Sequence, residues 1–336
     1  VYITNAFNLK YVIGKEIADR IYVTLEKIYI MIGSIYINET KDLINSTEVS
    51  IINISDKKSK EDIKKILENT NIGIEAKDLT VLHEKKLLDE YSVNKMEDIK
   101  GLMDSIRAIK TQEEIESIKV ASKITAQAFN YILKYIKVGM TEKQIRNELN
   151  KYMLDNGADD VAFDTIVASG ENSSNPHACV TQRKIQKNDI ILFDFGAKYN
   201  GFCSDMSRTI FVGKPSDEMI QRYNIVLNAQ KLGIENIKVD NKIGKIHEDI
   251  EQYFNKYNVN DKFIHTTGHG VGLEIHEYPV IYTSNKEDVF CENMVVTVEP
   301  GIYFENKYGI RIEDTVLVTK QAVEVLTVCN KELIII

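Results

Sequence analysis

One stretch constrains this chain more than any other. Ile190-Ile-Leu-Phe-Asp-Phe-Gly-Ala197 is an apolar strand with a single acid, Asp194, at its middle. The turn Lys198-Tyr-Asn-Gly201 follows, and then Phe202-Cys-Ser-Asp-Met-Ser-Arg-Thr-Ile210, with Asp205 near its centre. Asn-Gly between two β-like runs is a strong hairpin signal, because the tight turn needs positive φ at both positions. A turn centred between Tyr199 and Asn200 places Asp194 directly opposite Asp205. Residues paired in that way share a face, with Cβ atoms ~4.5–5.5 Å apart. Two carboxylates so close in an apolar strand pair repel each other and lose hydration. They persist only when protonated or neutralised by a cation. A metal is the economical answer.

The pattern recurs near the end of the chain. Met294-Val-Val-Thr-Val-Glu-Pro-Gly301 carries Glu299, and Gly309-Ile-Arg-Ile-Glu-Asp-Thr315 carries Glu313. A turn centred near Asn306 brings these two acids roughly opposite. Of six histidines, four lie beside these hairpins or in glycine-rich turns: His177, His265, His269 and His276. His269 sits in Gly268-His-Gly-Val-Gly272. Four carboxylates and one imidazole form an oxygen-rich donor set, which suits Mn²⁺ or Co²⁺ better than a closed structural zinc site. His247 lies in a helical pattern without acidic strand neighbours and reads as structural; His83 reads as a surface or boundary histidine.

The surrounding organisation is that of a mixed α/β (α+β) chain. Its 336 residues correspond to about two domains of ~100–200 residues. Residues 1–107 read as a small α/β unit, with β-rich runs at Arg20–Leu25, Lys27–Ile32, Val49–Ile54 and Ile72–Glu75. Helical patterns there cover Lys60–Glu68 and Leu79–Tyr91. Residues 108–336 form the second domain. Capping boxes at Thr111-Gln-Glu-Glu114 and Thr141-Glu-Lys-Gln144 open two helices, which end near Gly139 and Gly157. Strands are expected at Val161–Ala168, Ile190–Ala197 and Phe202–Val212. Two more helices, Asp217–Asn236 and Ile243–Tyr257, precede strands at Phe263–Thr267, Met294–Glu299 and Ile310–Val318. Helix, helix, strands, twice over, reads as an internal duplication.

Charge and motif content exclude several functions. The formal charge of −8 disfavours nucleic acid as a partner. The four scattered cysteines, Cys179, Cys203, Cys291 and Cys329, contain no C-x-x-C pair and fit a reducing, cytoplasmic compartment. No apolar run of ~18 residues or export signal is visible, so no membrane partner is expected, although the start at Val1 inside a β-like run weakens any conclusion about a leader. Gly268–Gly272 lacks the spacing of a dinucleotide loop, and His265-Thr-Thr-Gly-His269 lacks the glutamate of H-E-x-x-H.

These segments together resemble the pita-bread metallopeptidases, in the branch of Xaa-Pro aminopeptidases and Xaa-Pro dipeptidases (prolidases). The matching pieces are Ser174-Asn-Pro-His177, Asp194-Phe-Gly196, Ser204-Asp-Met-Ser-Arg-Thr209, Gly268-His-Gly-Val-Gly-Leu-Glu-Ile-His276, Val298-Glu-Pro-Gly-Ile-Tyr303 and Arg311-Ile-Glu-Asp314. They span roughly residues 108–330. Thr4-Asn5 and Asn8…Tyr11…Gly14 resemble the smaller N-terminal domain of the same creatinase/aminopeptidase family. Two departures stand out: Ala178 follows His177 where many members carry a second histidine, and Lys15 replaces an aromatic after Gly14.

The resemblance implies a pita-bread catalytic domain in which Asp194, Asp205, His269, Glu299 and Glu313 hold two divalent ions, with Asp205 and Glu313 bridging. It implies Mn²⁺, with Co²⁺ or Zn²⁺ as alternatives, a metal-bridged hydroxide as nucleophile, Glu299 as proton shuttle and His276 as stabiliser of the tetrahedral intermediate. His177 and His265 are expected to contact substrate. Arg311 is expected to orient the site by holding Glu313 or a substrate carboxylate, or else to form a salt bridge within the strand pair. Proline-containing peptides and a homodimer are the implied partners. A methionine aminopeptidase-like exopeptidase and a non-catalytic pseudo-peptidase stay open as alternatives, as does dipeptidase against aminopeptidase specificity.

Overall fold

The computed structural model describes residues 1–40, 47–99 and 101–336, which divide into two compact units, Val1–Ser105 and Ile106–Ile336. In the first unit a six-stranded mixed sheet runs in the order Val49–Asn53, Ile28–Ile32, Arg20–Val23, Tyr2–Ile3, Asn71–Ile74, Lys95–Asp98. Alternation along the strands sends Tyr2, Tyr22 and Met31 to one apolar layer and Ile3, Ile21 and Ile30 to the other. The helix Ala6–Ile13 was not expected from periodicity. Asn5 caps it by accepting from the Phe7 and Asn8 amides, and Gly14 closes it at φ 74°. His83 is half-buried, bonded to the Tyr2 hydroxyl at 2.8 Å, and burial holds its pKa down to about 4.

The second unit contains two helix pairs, each against its own sheet. Gln112–Tyr135 and Glu142–Asp155 open with the capping boxes at Thr111 and Thr141, and they pack on the sheet Ile166–Ser169, Ile190–Phe195, Met206–Phe211. Asp217–Asn236 and Ile243–Asn255 pack on a five-stranded sheet whose centre is Gly268–Gly270, Val295–Val298 and Asp314–Val318. Each core is a contiguous apolar cluster around Phe193 and Phe129 in the first half, and around Val296, Val298 and Phe254 in the second. Among the described residues no helix is long and apolar enough to cross a membrane.

The first hairpin differs from expectation in register. Tyr199 pairs with Phe202, so the turn is Asn200-Gly201, at φ 49° and 82°. Asp194 therefore faces Ser207, and Asp205 falls level with Gly196. The slip is two residues, and side chains alternate with a period of two, so Asp194 and Asp205 keep a common face as diagonal neighbours. In the second hairpin Gly301 pairs with Arg311 and Val298 with Asp314, which brings Glu299 opposite Glu313 around a turn centred on Asn306.

Three expected strands break where the site lies. Phe202–Val212 is interrupted at Ser204 and Asp205, and Ile310–Val318 at Ile312 and Glu313. At these breaks each hairpin bonds to the other: the Glu313 amide donates to the Ser207 carbonyl at 3.1 Å, and the Thr315 hydroxyl to the Asp205 carbonyl at 2.8 Å. Val161–Ala168 splits into Asp160–Val161 and Ile166–Ser169 around Asp164 and Thr165, which line the cavity described below. Phe263–Thr267 is not a strand, because its backbone meets a pairing neighbour only from Thr267 onward.

Gly196 is where the first hairpin closes on itself. A Cβ there would lie 1.8 Å from the Ser204 carbonyl oxygen, which no rotamer change relieves. Gly196→Ala is expected to destabilise the protein by about 3 kcal/mol, the upper range for overpacking. Urea unfolding midpoints measure this, and an unchanged midpoint would refute the close strand contact.

Candidate metal centre

Three strands converge on His269, and its flanking glycines make that possible. A Cβ on Gly268 would sit 2.0 Å from the Thr297 carbonyl oxygen, and one on Gly270 would sit 2.3 Å from that of Tyr278. The glycine-rich motif is thus a packing requirement of the crossing strands. The buried His247, which makes a 2.8 Å bond between its Nδ1 and the Thr267 hydroxyl, steadies the approach to this strand.

His269 is buried, with Nδ1 3.1 Å from the Gly270 carbonyl oxygen. With Nδ1 held by that carbonyl, Nε2 is turned towards Glu299 Oε1 at 3.3 Å and Asp205 Oδ2 at 3.7 Å, and once deprotonated it offers its lone pair to a cation there. That tautomer suits a metal ligand whose other nitrogen is fixed by a backbone carbonyl. One donor atom each from Asp205, His269 and Glu313 all lie within 4.8 Å of one another.

The electrostatics of the four acids are unbalanced. Burial raises the Asp205 pKa well above the usual carboxylate range, and the charges of Glu313, Asp194 and Glu299 add to the rise. Burial does the same to Glu313, reinforced by Glu299 and Asp194. Asp194 is raised by burial against the opposing pull of Arg311. Only Glu299 is held down, to about 2, because His269 outweighs its burial. His269 rises correspondingly, burial being overcome by its bond to Glu299.

Three oxygens in this cluster, Asp194 Oδ1, Asp205 Oδ1 and Glu313 Oε1, are buried without a hydrogen-bond partner among the described residues. Such lone pairs are costly unless something positive fills them. An oxygen-rich set with one neutral imidazole fits divalent cations, and these five side chains are the ones that would hold them.

Arg311 lies beneath the cluster. It donates to Asp194 Oδ2 and to the Tyr303 hydroxyl, each at 2.6 Å, to the Ser207 hydroxyl at 2.8 Å and to the Pro176 carbonyl at 3.2 Å. It grips Asp194 rather than Glu313, which is a correction to one expected role. Its hydrogen-bonded link to Glu313 runs through Ser207, whose hydroxyl donates to Glu313 Oε2 at 2.7 Å. The reason is the register, which places Ser207 between the two acids.

Asp194, Asp205, His269, Glu299, Glu313, His177, His265, His276 and Arg311 all line one cavity of about 580 Å³. His177 and His276 are exposed on its wall, and the His276 ring stands edge-on to His269 at 4.4 Å. His265 is half-buried, 3.0 Å from the Tyr303 hydroxyl. Sequence reading assigned no role to Ser207 or Tyr303. Both depend on register and on strands from different halves meeting, which no local pattern announces.

Metallopeptidase family M24 matches this chain over residues 116–320. An Xaa-Pro dipeptidase of Pyrococcus furiosus is 38% identical over 275 residues, 82% of this chain and 78% of that protein. The structure of an Xaa-Pro dipeptidase from Bacillus anthracis superposes with a TM-score of 0.93 at 34% identity, covering 100% of this chain and 94% of the other. That of an X-Pro aminopeptidase from Thermotoga maritima gives 0.88 at 31%, covering 99% and 95%. With the two helix pairs, the acid-bearing hairpins and the orphaned oxygens around His269, these likenesses have one reading: the chain belongs to metallopeptidase family M24.

Proposed function

We propose that this protein is a dinuclear-metal exopeptidase that hydrolyses the Xaa-Pro bond, as a prolidase-type dipeptidase or an aminopeptidase P-type enzyme. The observation that carries the proposal is the trio of partnerless carboxylate oxygens around His269, in a chain with full-length likeness to Xaa-Pro peptidases. Bound divalent cations would supply Lewis acidity and lower the pKa of the attacking water.

The chain's own groups do the rest. The Xaa-Pro nitrogen carries no N–H, and, as in any amide hydrolysis, it must gain a proton to leave as an amine. Glu299, ionised and beside His269, accepts the proton that the attacking water releases and delivers it to that nitrogen. Partial desolvation by the cavity wall, and then the proximity of His269, lowers the His276 pKa, so its imidazole is neutral at physiological pH and donates a hydrogen bond to the oxygen that gains negative charge. His177 and His265 contact the substrate from the cavity wall. Arg311 fixes Asp194 and, through Ser207, Glu313.

Mn²⁺ is the proposed native metal, with Co²⁺ or Zn²⁺ as alternatives. A homodimer is the proposed assembly, and the free state of all four cysteines supports a reducing, cytoplasmic setting. The test is release of proline or Pro-Xaa from Xaa-Pro dipeptides and Xaa-Pro-Xaa tripeptides by protein loaded separately with each metal. Absence of metal-dependent release from both would overturn the proposal, and cleavage of Met-Gly-Xaa instead would favour the methionine aminopeptidase alternative. Arg311→Lys keeps the charge but loses the planar fork. It is expected to lower kcat/KM by roughly ten- to a hundredfold, as loss of a group supporting metal ligands typically does. Steady-state kinetics at saturating metal measure it.

A further inference from the structure

A second charged cluster lies behind the cavity wall, wholly within the second unit. Arg107 and Lys110 are both almost fully buried, and both reach the carboxylate of Glu277. Arg107 Nη2 donates to Glu277 Oε2 at 2.5 Å, and Lys110 Nζ to Glu277 Oε1 at 2.7 Å. Arg107 Nη1 also donates to Glu274 Oε1 at 2.7 Å. Two cations thus face two carboxylates across 167–170 residues of sequence.

The segment these bonds hold is the turn that carries His276. Between the strand ending at Gly270 and the one beginning at Glu277 the chain is irregular. Its own backbone bonding includes a 3.1 Å bond from the Gly272 amide to the Glu274 carbonyl. The Cys203 amide adds a bond to the Gly272 carbonyl at 2.8 Å. The Glu277 carboxylate fills the inside of this turn: it accepts from the Glu274 amide at 3.4 Å, and a Cβ on Gly272 would stand 2.3 Å from its Oε1. On the other side, the Lys110 amide bonds to the Asn293 carbonyl at 3.0 Å, next to the strand that flanks His269.

We infer that Arg107 and Lys110 form a clamp on Glu277 that fixes the Gly272–His276 turn, and so act as positioning residues for His276. The inference rests on the role proposed above for His276, and it extends that role to three residues that never touch the cavity. A buried carboxylate held by two cations has one low-energy placement, because any displacement leaves a charge unpaired in a poorly solvated site. The turn around it inherits that rigidity. Placement matters, since an error of about 1 Å at a reacting group costs roughly a hundredfold in rate.

Lys110→Met and Glu277→Gln keep volume and test the clamp in full-length, metal-loaded protein. Hydrogen exchange of the Gly272 and Glu274 amides is expected to accelerate, with the helix Gln112–Tyr135 unchanged. Hydrolysis of an Xaa-Pro substrate is expected to fall in kcat by roughly ten- to a hundredfold at nearly constant KM. Placed on His276→Ala, either substitution is expected to change kcat by less than about twofold further, because coupled residues are non-additive. Losses that multiply in the double variants overturn the link to His276, and unchanged exchange overturns the clamp. Should Glu277→Gln fail to fold, Lys110→Met combined with it leaves Arg107 balanced by Glu274 and carries the same comparison. Wild-type protein without peptidase activity would defeat the functional proposal alone, since the exchange measurement still decides the clamp.

Discussion

Asp205→Asn is expected to lower kcat by at least about a thousandfold while raising the melting temperature of the metal-free protein. The two effects have one cause. Asp205 is buried beside Glu313, Asp194 and Glu299, and their charges together with burial push its pKa far up. In the absence of a cation its ionised form is a liability; an amide of the same shape removes that charge and offers donors to the neighbouring carboxylates. In the proposed function the same carboxylate would be a ligand to bound cations, and its loss is expected to remove several kcal/mol of transition-state stabilisation, each 1.36 kcal/mol being tenfold in rate. Kinetics at saturating Mn²⁺, metal content by plasma emission and melts in chelator check the three parts. A variant that stays within tenfold of wild type, or that melts lower when stripped of metal, contradicts the assignment of Asp205 as a metal ligand.

Local chemistry made much of the catalytic half legible. The capping boxes at Thr111 and Thr141 fix helix starts through two or three side chains and need no tertiary knowledge. The Glu299–Glu313 hairpin was readable because its turn residue, Asn306, adopts positive φ at the centre of the register. The Asp194–Asp205 hairpin differs from its expected register by two residues, yet the shared face is kept because strand parity is insensitive to an even slip. What stayed hidden depends on chain crossings. Ser207 gains its place between Asp194, Arg311 and Glu313 only when the two hairpins bond to each other. Tyr303 meets His265 across 38 residues, and Glu277 meets Lys110 across 167. The helix Ala6–Ile13 carries no periodic signal because its apolar residues are spread around it, and its start is marked by Asn5 alone.

The stability gained from metal is expected to grow as pH rises. In the unfolded chain Asp205 ionises at about 4. In the folded, metal-free chain burial and neighbouring charge raise that pKa, so above pH ~4 the folded state retains a proton that the unfolded state has released. Stability then falls with rising pH until the raised folded value is passed, where the full penalty is present. Glu313 behaves in the same sense, its pKa raised by burial and by Glu299 and Asp194. Histidines with depressed pKa values, His247 and His83 at about 4, work the opposite way, but only up to the ordinary histidine value of about 6.5. Comparing metal-free wild type with metal-free Asp205→Asn cancels them, and the melting-temperature gap between the two should widen steadily above pH 5. Saturation with Mn²⁺ should reverse the wild-type loss, since a site held at a thousand times its Kd contributes about 4 kcal/mol. For a unit of this size that is roughly 10 °C. Metal binding should also release protons, measurable by calorimetry in buffers of different ionisation enthalpy. A gap that stays constant with pH would mean that Asp205 is ionised in the metal-free fold, and that something other than a divalent cation balances its charge.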